Sequence, residues 1–438
     1  MMKCIIVSHF GITKRDIASR RIANLCTALD YQNQNVTLLT SDISCDSNEL
    51  YELKNRLIKI PSRNLAVASK MKHFARDALD SSRVFRKEGT SFRSQFTILA
   101  KRFLKSIFAD PYNTVSDSLA KDRLLRIDGR SYLETIHGYI DNKGIVILLT
   151  SAGPAIMHRI GYEIKKRFPQ VFWIADYRDQ IVGNPVAKAT PRMRKANYLA
   201  IKNADMIAAV SEGLVNDIAK YSPVGKEAVL AKSYTLYNGF TSKSAVNPYK
   251  PTVDNQRIRI AYTGVLYSMR RIDYLIRAIK EVNSSITKSF ELLYCGASSS
   301  IVERMVAEEA ANSFVTNKGF VSKQEAEKEQ DEADILLLLK SNEPETGGMT
   351  GKFFEYLERD KPILVLGDSD SEFNEIARKI GGIYVLPYDE EKIKEFLIDF
   401  ASRWPFEIER NAEEVDKFNW NNLAKGLIEE VERRLKKR

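Results

Sequence analysis

A chain of 438 residues exceeds what one hydrophobic core ordinarily supports, so two domains are expected. Its 44% hydrophobic and 28% charged content is ordinary for a soluble globular protein, and no apolar run has the length of a signal peptide or a membrane span, so a cytoplasmic protein is expected unless something carries it out. The formal net charge of +10 points to an acidic partner: nucleic acid, anionic lipid or a phosphorylated substrate. Cys4, Cys26, Cys45 and Cys295 lack metal-ligand spacing, and Cys4 and Cys295 fall in apolar strand-like runs, so reduced core thiols are expected. The four histidines form no H-x-x-x-H pattern, and no zinc site is expected.

Lys3 to Ser8 reads as a buried strand that ends in Ser8-His9-Phe10-Gly11. A helix follows, with Ile17, Ile22, Leu25 and Leu29 on its apolar stripe and Arg20 and Arg21 near its start; Val36 to Thr40 is the next strand. That order implies a right-handed βαβ unit and a parallel sheet. The first loop lacks G-x-G-x-x-G, which argues against a dinucleotide cofactor. His9 and Gly11 stand at a strand's carboxyl end and are candidate acceptor-side residues, although a lone histidine is also commonly structural.

From Lys54 to Lys105 basic residues such as Arg63, Lys70, Arg86 and Lys101 far outnumber acidic ones, with Phe74, Phe85, Phe92, Phe96 and Phe103 interleaved. Such a segment suits an amphipathic surface on an anionic membrane or one steering a phosphorylated acceptor. A helical insertion that packs its aromatics and solvates its charges fits equally. No nucleic-acid module accompanies the charge, so nucleic acid is not expected as a partner. Gly144 to Thr150 is a strand leading into Ser151-Ala152-Gly153-Pro154, and Val171 to Ala175 is a strand ending directly in Asp176-Tyr177-Arg178-Asp179. Charged residues at a parallel strand's carboxyl end sit where such sheets hold ligands; a self-contained Asp–Arg pair is the plainer alternative. Ala204 to Ser211 repeats the strand pattern, with Ser211 placed to cap the next helix, and Leu236 to Phe240 closes this half with a turn.

The polar stretch 241–256, with Pro248 and Pro251, suits an inter-domain linker. The βα rhythm then restarts: Arg259 to Thr263, Phe290 to Cys295, Val315 to Phe320, 333–339 and Pro362 to Gly367 read as strands. Gly264 with Arg270 and Arg271 forms a candidate anion cradle, or else mere surface charge beside a turn. Between two strands lies Thr346-Gly347-Gly348-Met349-Thr350-Gly351-Lys352-Phe353-Phe354-Glu355-Tyr356-Leu357. Glycines at the start of a helix let a phosphate approach unpaired backbone N–H groups, and Glu355 one turn on is placed to bond a ribose; an unliganded turn is the alternative. The end, 406–438, is helical in pattern with a stripe of Leu423, Leu427, Ile428, Val431 and Leu435.

The order of these landmarks resembles the family-4-like group of glycosyltransferases with the GT-B fold. The resemblance rests on Ala175-Asp176-Tyr177-Arg178-Asp179, Ala204-Asp205 through Val210-Ser211-Glu212, Tyr237-Asn238-Gly239, Tyr262-Thr263-Gly264, Gly319-Phe320-Val321, Ala333-Asp334, and Thr350 to Leu357 followed by Lys361-Pro362. It is similar to bacterial enzymes that build capsule, lipopolysaccharide or exopolysaccharide. The implied fold is α/β, with two Rossmann-like doubly wound domains facing across a cleft. These would be an acceptor-side domain over 1–242 with a basic helical insertion at about 54–125, a nucleotide-sugar domain over 257–405, and helices over 406–438 crossing back.

The resemblance also implies a retaining, metal-independent transfer from a nucleotide-sugar to a glycan or lipid-linked acceptor; with it, the basic 54–105 segment read above would offer a peripheral contact at the inner face of the cell membrane. The nucleotide-sugar is a substrate, and no cofactor is implied. By the same resemblance Glu355 binds the donor ribose, and Gly264, Gly347, Gly348, Thr350, Gly351 and Lys352 meet its phosphates or sugar. Arg271 with Arg270 relieves leaving-group charge, and Asp176, Arg178 and Asp179 orient acceptor or sugar. Two positions depart from the pattern: Gly347 stands where a second glutamate is usual, with Glu343 and Glu345 nearby, and Val265 where an arginine is usual. A nucleotide-sugar epimerase of the same fold and a non-catalytic scaffold of a polysaccharide assembly complex are the competing expectations; the former would need histidines in the cleft.

Overall fold

The computed structural model describes residues 2–8, 17–40, 57–59, 132–140, 144–153, 155–184, 188–241, 256–266, 270–340, 349–367 and 371–438. Two compact units emerge: Met1–Ala208 with Ile218–Tyr234, and Ala209–Asp217 with Thr235–Arg438. Each is built on a parallel sheet flanked by helices.

The first sheet has seven strands: β1 (Lys3–Ser8), β2 (Asn35–Thr40), β3 (Leu57–Lys59), β4 (Val146–Ser151), β5 (Phe172–Tyr177), β6 (Met206–Ala209) and β7 (Ser233–Thr235). Their spatial order is β3-β2-β1-β4-β5-β6-β7. Nearly every residue of β1, β2, β4 and β5 is buried, as both faces of a parallel sheet require, so these strands read as continuous apolar runs rather than alternating ones. Ile5 lies opposite Thr37 on one side and Leu148 on the other. The second sheet has β8 (Arg257–Thr263), β9 (Ser289–Cys295), β10 (Val315–Asn317), β11 (Ile335–Leu339), β12 (Ile363–Leu366) and β13 (Ile383–Leu386), in the order β10-β9-β8-β11-β12-β13. Helices Asp273–Ser285 and Glu390–Arg403 pack on one face through Leu275, Ile279, Ile393, Leu397 and Phe400. Phe353, Phe354, Tyr356 and Leu357 of helix Gly351–Leu357 and Phe373 of helix Ser371–Ile380 fill the other core.

Local chemistry sets the helix starts. Ser211 Oγ accepts the Leu214 N–H at 3.0 Å, as expected of a cap. Thr190 before Pro191 caps a helix to Asn203, and Ser322 caps Lys323–Glu332 with a bond from the Glu325 N–H. Among the described residues Cys4, Cys26 and Cys295 are buried free thiols, burial pushing Cys4 up to about 12; Cys45 lies outside them. No helix of the described residues is long and apolar enough to cross a membrane.

The structure differs from the sequence reading in three places. β5 runs two residues further than Ala175, so Asp176 and Tyr177 belong to the strand. Leu57–Lys59, inside the stretch read as a basic helical segment, is a strand paired with β2; residues 60–131 lie outside the described ones. Leu236 to Phe240 is not a closing turn of the first half. It groups with the second unit, where the Phe240 N–H bonds Phe418 O and the Trp420 N–H bonds Phe240 O. The helical pattern read over 406–438 takes the form of two helices, Ala412–Asp416 and Trp420–Leu435, and the longer buries Leu423, Leu427, Ile428 and Val431 of the expected stripe.

One buried polar knot stands inside the first unit. Thr150 Oγ1 accepts the Trp173 indole N–H at 2.9 Å and meets His158 Nδ1 at 2.9 Å. Burial pushes His158 down to about 3, outweighing the nearby Asp176 charge, so the imidazole is neutral. Thr150→Val keeps the shape and strands both partners. It should cost about 2–3 kcal/mol of unfolding free energy in urea titrations with an unchanged m-value.

Candidate functional site

Open parallel sheets bind ligands beyond the strands' carboxyl ends, where neighbouring strands send their chains in opposite directions. In the second sheet that point lies between β8 and β11, because β9 and β10 extend one way from β8 while β12 and β13 extend the other. Gly264 follows β8 directly, and the chain after β11 enters helix Gly351–Leu357.

Gly264 has φ +146°, and a Cβ there would sit 1.9 Å from Lys352 Nζ. The Lys352 ammonium thus lies against the glycine backbone, 4.7 Å above the Tyr262 ring, in cation–π contact. The loop beneath it is pinned. The Gly264 N–H bonds Cys295 O at 2.7 Å, the Tyr294 hydroxyl donates to Gly264 O at 3.1 Å, and Ser298 Oγ bonds both N–H and C=O of Leu266 at 3.1 Å. A Cβ on Gly296 would meet Gly264 O at 1.9 Å, so this crossing tolerates no side chain there.

Glu355 is half-buried, and its Oε1 accepts from Gln330 Nε2 at 3.3 Å. The same amide donates to Thr263 Oγ1 at 2.6 Å, which lies 3.4 Å from the buried Tyr356 hydroxyl. Thr350 precedes the helix in extended conformation, and its Oγ1 has no hydrogen-bond partner among the described residues. The fold therefore brings Gly264, Thr350, Gly351, Lys352 and Glu355 to the same end of adjoining strands. Gly347 and Gly348, with Glu343 and Glu345, lie outside the described residues, as do His9 and Gly11.

Arg271 is engaged elsewhere. It makes a bidentate pair with Asp273, Nε to Oδ1 at 2.9 Å and NH2 to Oδ2 at 2.8 Å, and its guanidinium stacks 5.0 Å from the Tyr274 ring. Burial would raise the Asp273 carboxyl, but hydrogen bonds and charge from Arg271 and Arg277 more than offset it and hold it below the ordinary range. Arg271 thus carries a charge already matched by its own helix. Arg270 beside it is half-buried.

At the first sheet's carboxyl end the expected trio separates. Asp176 is fully buried: Oδ1 takes Arg21 NH2 at 2.7 Å, and Oδ2 takes the Ser151 hydroxyl at 2.9 Å and Arg21 Nε at 3.4 Å. Burial alone would raise this carboxyl; the Arg21 charge, bonds from Arg21 and Ser151, and the Arg178 charge hold it low instead. Both oxygens of this carboxylate are bonded within the protein, and it has no exposure. The ion pair is real, but its partner is Arg21, 155 positions away, rather than Arg178. Arg178 directs Nε and NH2 at Ala152 O, 2.9 and 2.7 Å, and Asp179 is exposed. Sequence reasoning missed Gln330, Tyr294 and Ser298; nothing in the charged run Lys323 to Glu332 sets Gln330 apart from its neighbours.

No family model matches the chain, and no curated protein matches it. Solved structures do, over essentially whole chains. Sucrose-phosphate synthase from Thermosynechococcus elongatus aligns with TM-score 0.60 and 13% identity across 100% of both chains. Anabaena HepE, solved with UDP and glucose, gives 0.58 and 12% over 99% of this chain and 100% of that one. The lipopolysaccharide outer core galactosyltransferase WaaB gives 0.57 and 12% over 98% and 99%. The fold is GT-B. In GT-B terms the second sheet is the one whose carboxyl ends carry the cluster described above, and identities of 11–13% reach no further than that likeness.

Replacing Arg21 by Met should strand Asp176 and destabilise the chain by about 3–5 kcal/mol at neutral pH. In the native chain the depressed Asp176 pKa contributes stability that is full above the unfolded value of about 3.9 and is lost as pH falls through the lower folded value. In the variant burial raises that carboxyl, so the deficit should shrink on acidification from about pH 7 to about pH 4, as urea melts across that range would record.

Proposed function

We propose that this chain is a glycosyltransferase that moves a sugar from a nucleotide-sugar to a glycan or lipid-linked acceptor in cell-surface polysaccharide synthesis. The observation carrying the reading is the convergence of Gly264, Lys352 and Glu355 at the switch point of the second sheet. A diphosphate laid across Gly264 would meet backbone without a Cβ and the Lys352 ammonium. Departure of the nucleotide pushes negative charge onto a phosphate oxygen, and a cation already in place stabilises that charge without reorganising. This reading assigns the charge relief to Lys352, with Arg270 and Arg271, which follow Gly264 in sequence, as further candidates, and gives no role to a metal. Glu355 would accept hydrogen bonds from the ribose, and Thr350 and Gly351, with Gly347 and Gly348, would meet phosphate or sugar.

The acceptor hydroxyl would attack on the face the leaving group vacates, the phosphate taking its proton, so that configuration is retained and no separate general base is needed. Arg178 and Asp179, with His9 and Gly11, remain the candidates for the acceptor side, and the basic 54–105 stretch for contact with an anionic membrane. An epimerase would need imidazoles near the sugar. Of the described histidines, His158 is buried on Thr150 and His137 stands exposed against Phe168, both in the first unit.

Thermal-shift and calorimetric titrations with UDP, GDP, ADP and their sugars test this. One nucleotide should raise Tm in proportion to the logarithm of its concentration, and Glu355→Ala should weaken its binding about tenfold. A folded native chain that answers to none of them overturns the transferase.

A further inference from the structure

We infer that Gln330 is a positioning residue that fixes the carboxylate of Glu355 for a ribose hydroxyl of the donor, an inference resting on the donor reading above. Gln330 sits in helix Lys323–Glu332, KQEAEKEQDE, whose neighbours are largely solvated. It is 1% exposed and turned inward between the end of β8 and helix Gly351–Leu357. Its Nε2 donates to Thr263 Oγ1 and to Glu355 Oε1, while its own Oε1 is buried with no partner among the described residues.

The amide's orientation follows from chemistry. A carboxylate only accepts, so the NH2 must face Glu355; the flipped amide would set a carbonyl against a carboxylate. Holding that orientation leaves the amide carbonyl without a donor, a loss the fold carries. Packing alone would be served by Leu or Met, which fill similar volume and bury no unmatched acceptor. What the amide supplies and an apolar residue cannot is an N–H that holds one carboxylate oxygen and so sets the plane in which the carboxylate meets a hydroxyl. Because Thr263 directly precedes Gly264, the same amide ties that plane to the strand end on which a diphosphate would lie.

Calorimetry on the full chain with UDP, GDP and ADP, each beside its 2′,3′-dideoxy counterpart, tests the assignment. The native chain should favour the ribonucleotide about tenfold, the worth of a hydrogen bond to a charged group. Gln330→Met should weaken the ribonucleotide about tenfold and leave the dideoxy compound unchanged, so that discrimination disappears. Gln330→Glu adds a second carboxyl beside Glu355, and the two would share a proton. Relative to the native chain at each pH, its ribonucleotide affinity should rise as pH falls from about 8 to about 5, because the protonated carboxyl donates as the amide did.

A folded Gln330→Met that discriminates like the native chain overturns the inference. Should that variant fail to fold, a pH-independent affinity ratio for Gln330→Glu overturns it equally. A native chain that binds nucleotide without regard to its ribose hydroxyls also overturns it while leaving the transferase standing. A native chain that binds no nucleotide removes both.

Discussion

The crossing of backbone at the carboxyl end of β8 governs the second unit's polar end. Gly264 O would lie 1.9 Å from a Cβ on Gly296, and a Cβ on Gly264 would itself lie 1.9 Å from Lys352 Nζ. Three chain segments far apart in sequence therefore approach one another only because two of them carry no side chain. The approach is then locked by Tyr294 and Ser298 from the β9 side. A loop so tied presents its backbone in one conformation, and groups placed on it need no rearrangement when charge develops.

Helix Gly351–Leu357 shows how the core supplies what local sequence cannot. Seven residues are too few for a helix to persist on its own. Here Phe353, Phe354, Tyr356 and Leu357 are all buried, and Phe353 meets Phe373 edge to face at 5.0 Å while Phe354 packs on Phe418 at 5.3 Å. Four buried side chains in seven leave Lys352 and Glu355 as the polar residues that point elsewhere, and the aromatic packing fixes where. Lys340, which follows β11 directly, lies 4.5 Å above the same Phe373 ring, so the ring that seats the helix also receives a buried lysine from the end of the neighbouring strand.

Most of the two sheets was legible because parallel strands buried on both faces are unbroken apolar runs, as in Ile335 to Leu339 or Val146 to Thr150. β7 was not, because Ser233-Tyr234-Thr235 is a half-buried strand of three residues with a single aromatic. β13 also escaped, although Ile383 to Leu386 is an apolar run of four. Helix Lys323–Glu332 escaped for a different reason, since nine of its ten residues are charged or amide-bearing and it has almost no apolar stripe. Glycines and charges at strand ends pointed to the candidate site, because those residue types there have few structural uses. The partners did not show: Arg21 and Asp176 are 155 positions apart, and Gln330 and Glu355 are 25 apart with a strand between them. Only the fold brings such pairs together.

The two carboxylates at the two sheets' carboxyl ends illustrate what separates a structural acid from one suited to a ligand. Asp176 receives three hydrogen bonds, two of them from a guanidinium, and has no exposure. Desolvation of that charge is offset inside the protein, and a ligand hydroxyl could bond it only by displacing a partner at the cost of a buried, unmatched Arg21. Glu355 is half-buried and is held at Oε1 by a neutral amide 3.3 Å away, while its neighbour Lys352 sits beside a glycine backbone. A neutral donor orients a carboxylate without neutralising it. Unlike Asp176, Glu355 is partly exposed, and it stands at the end of the sheet where strand order turns, the place where such sheets hold ligands.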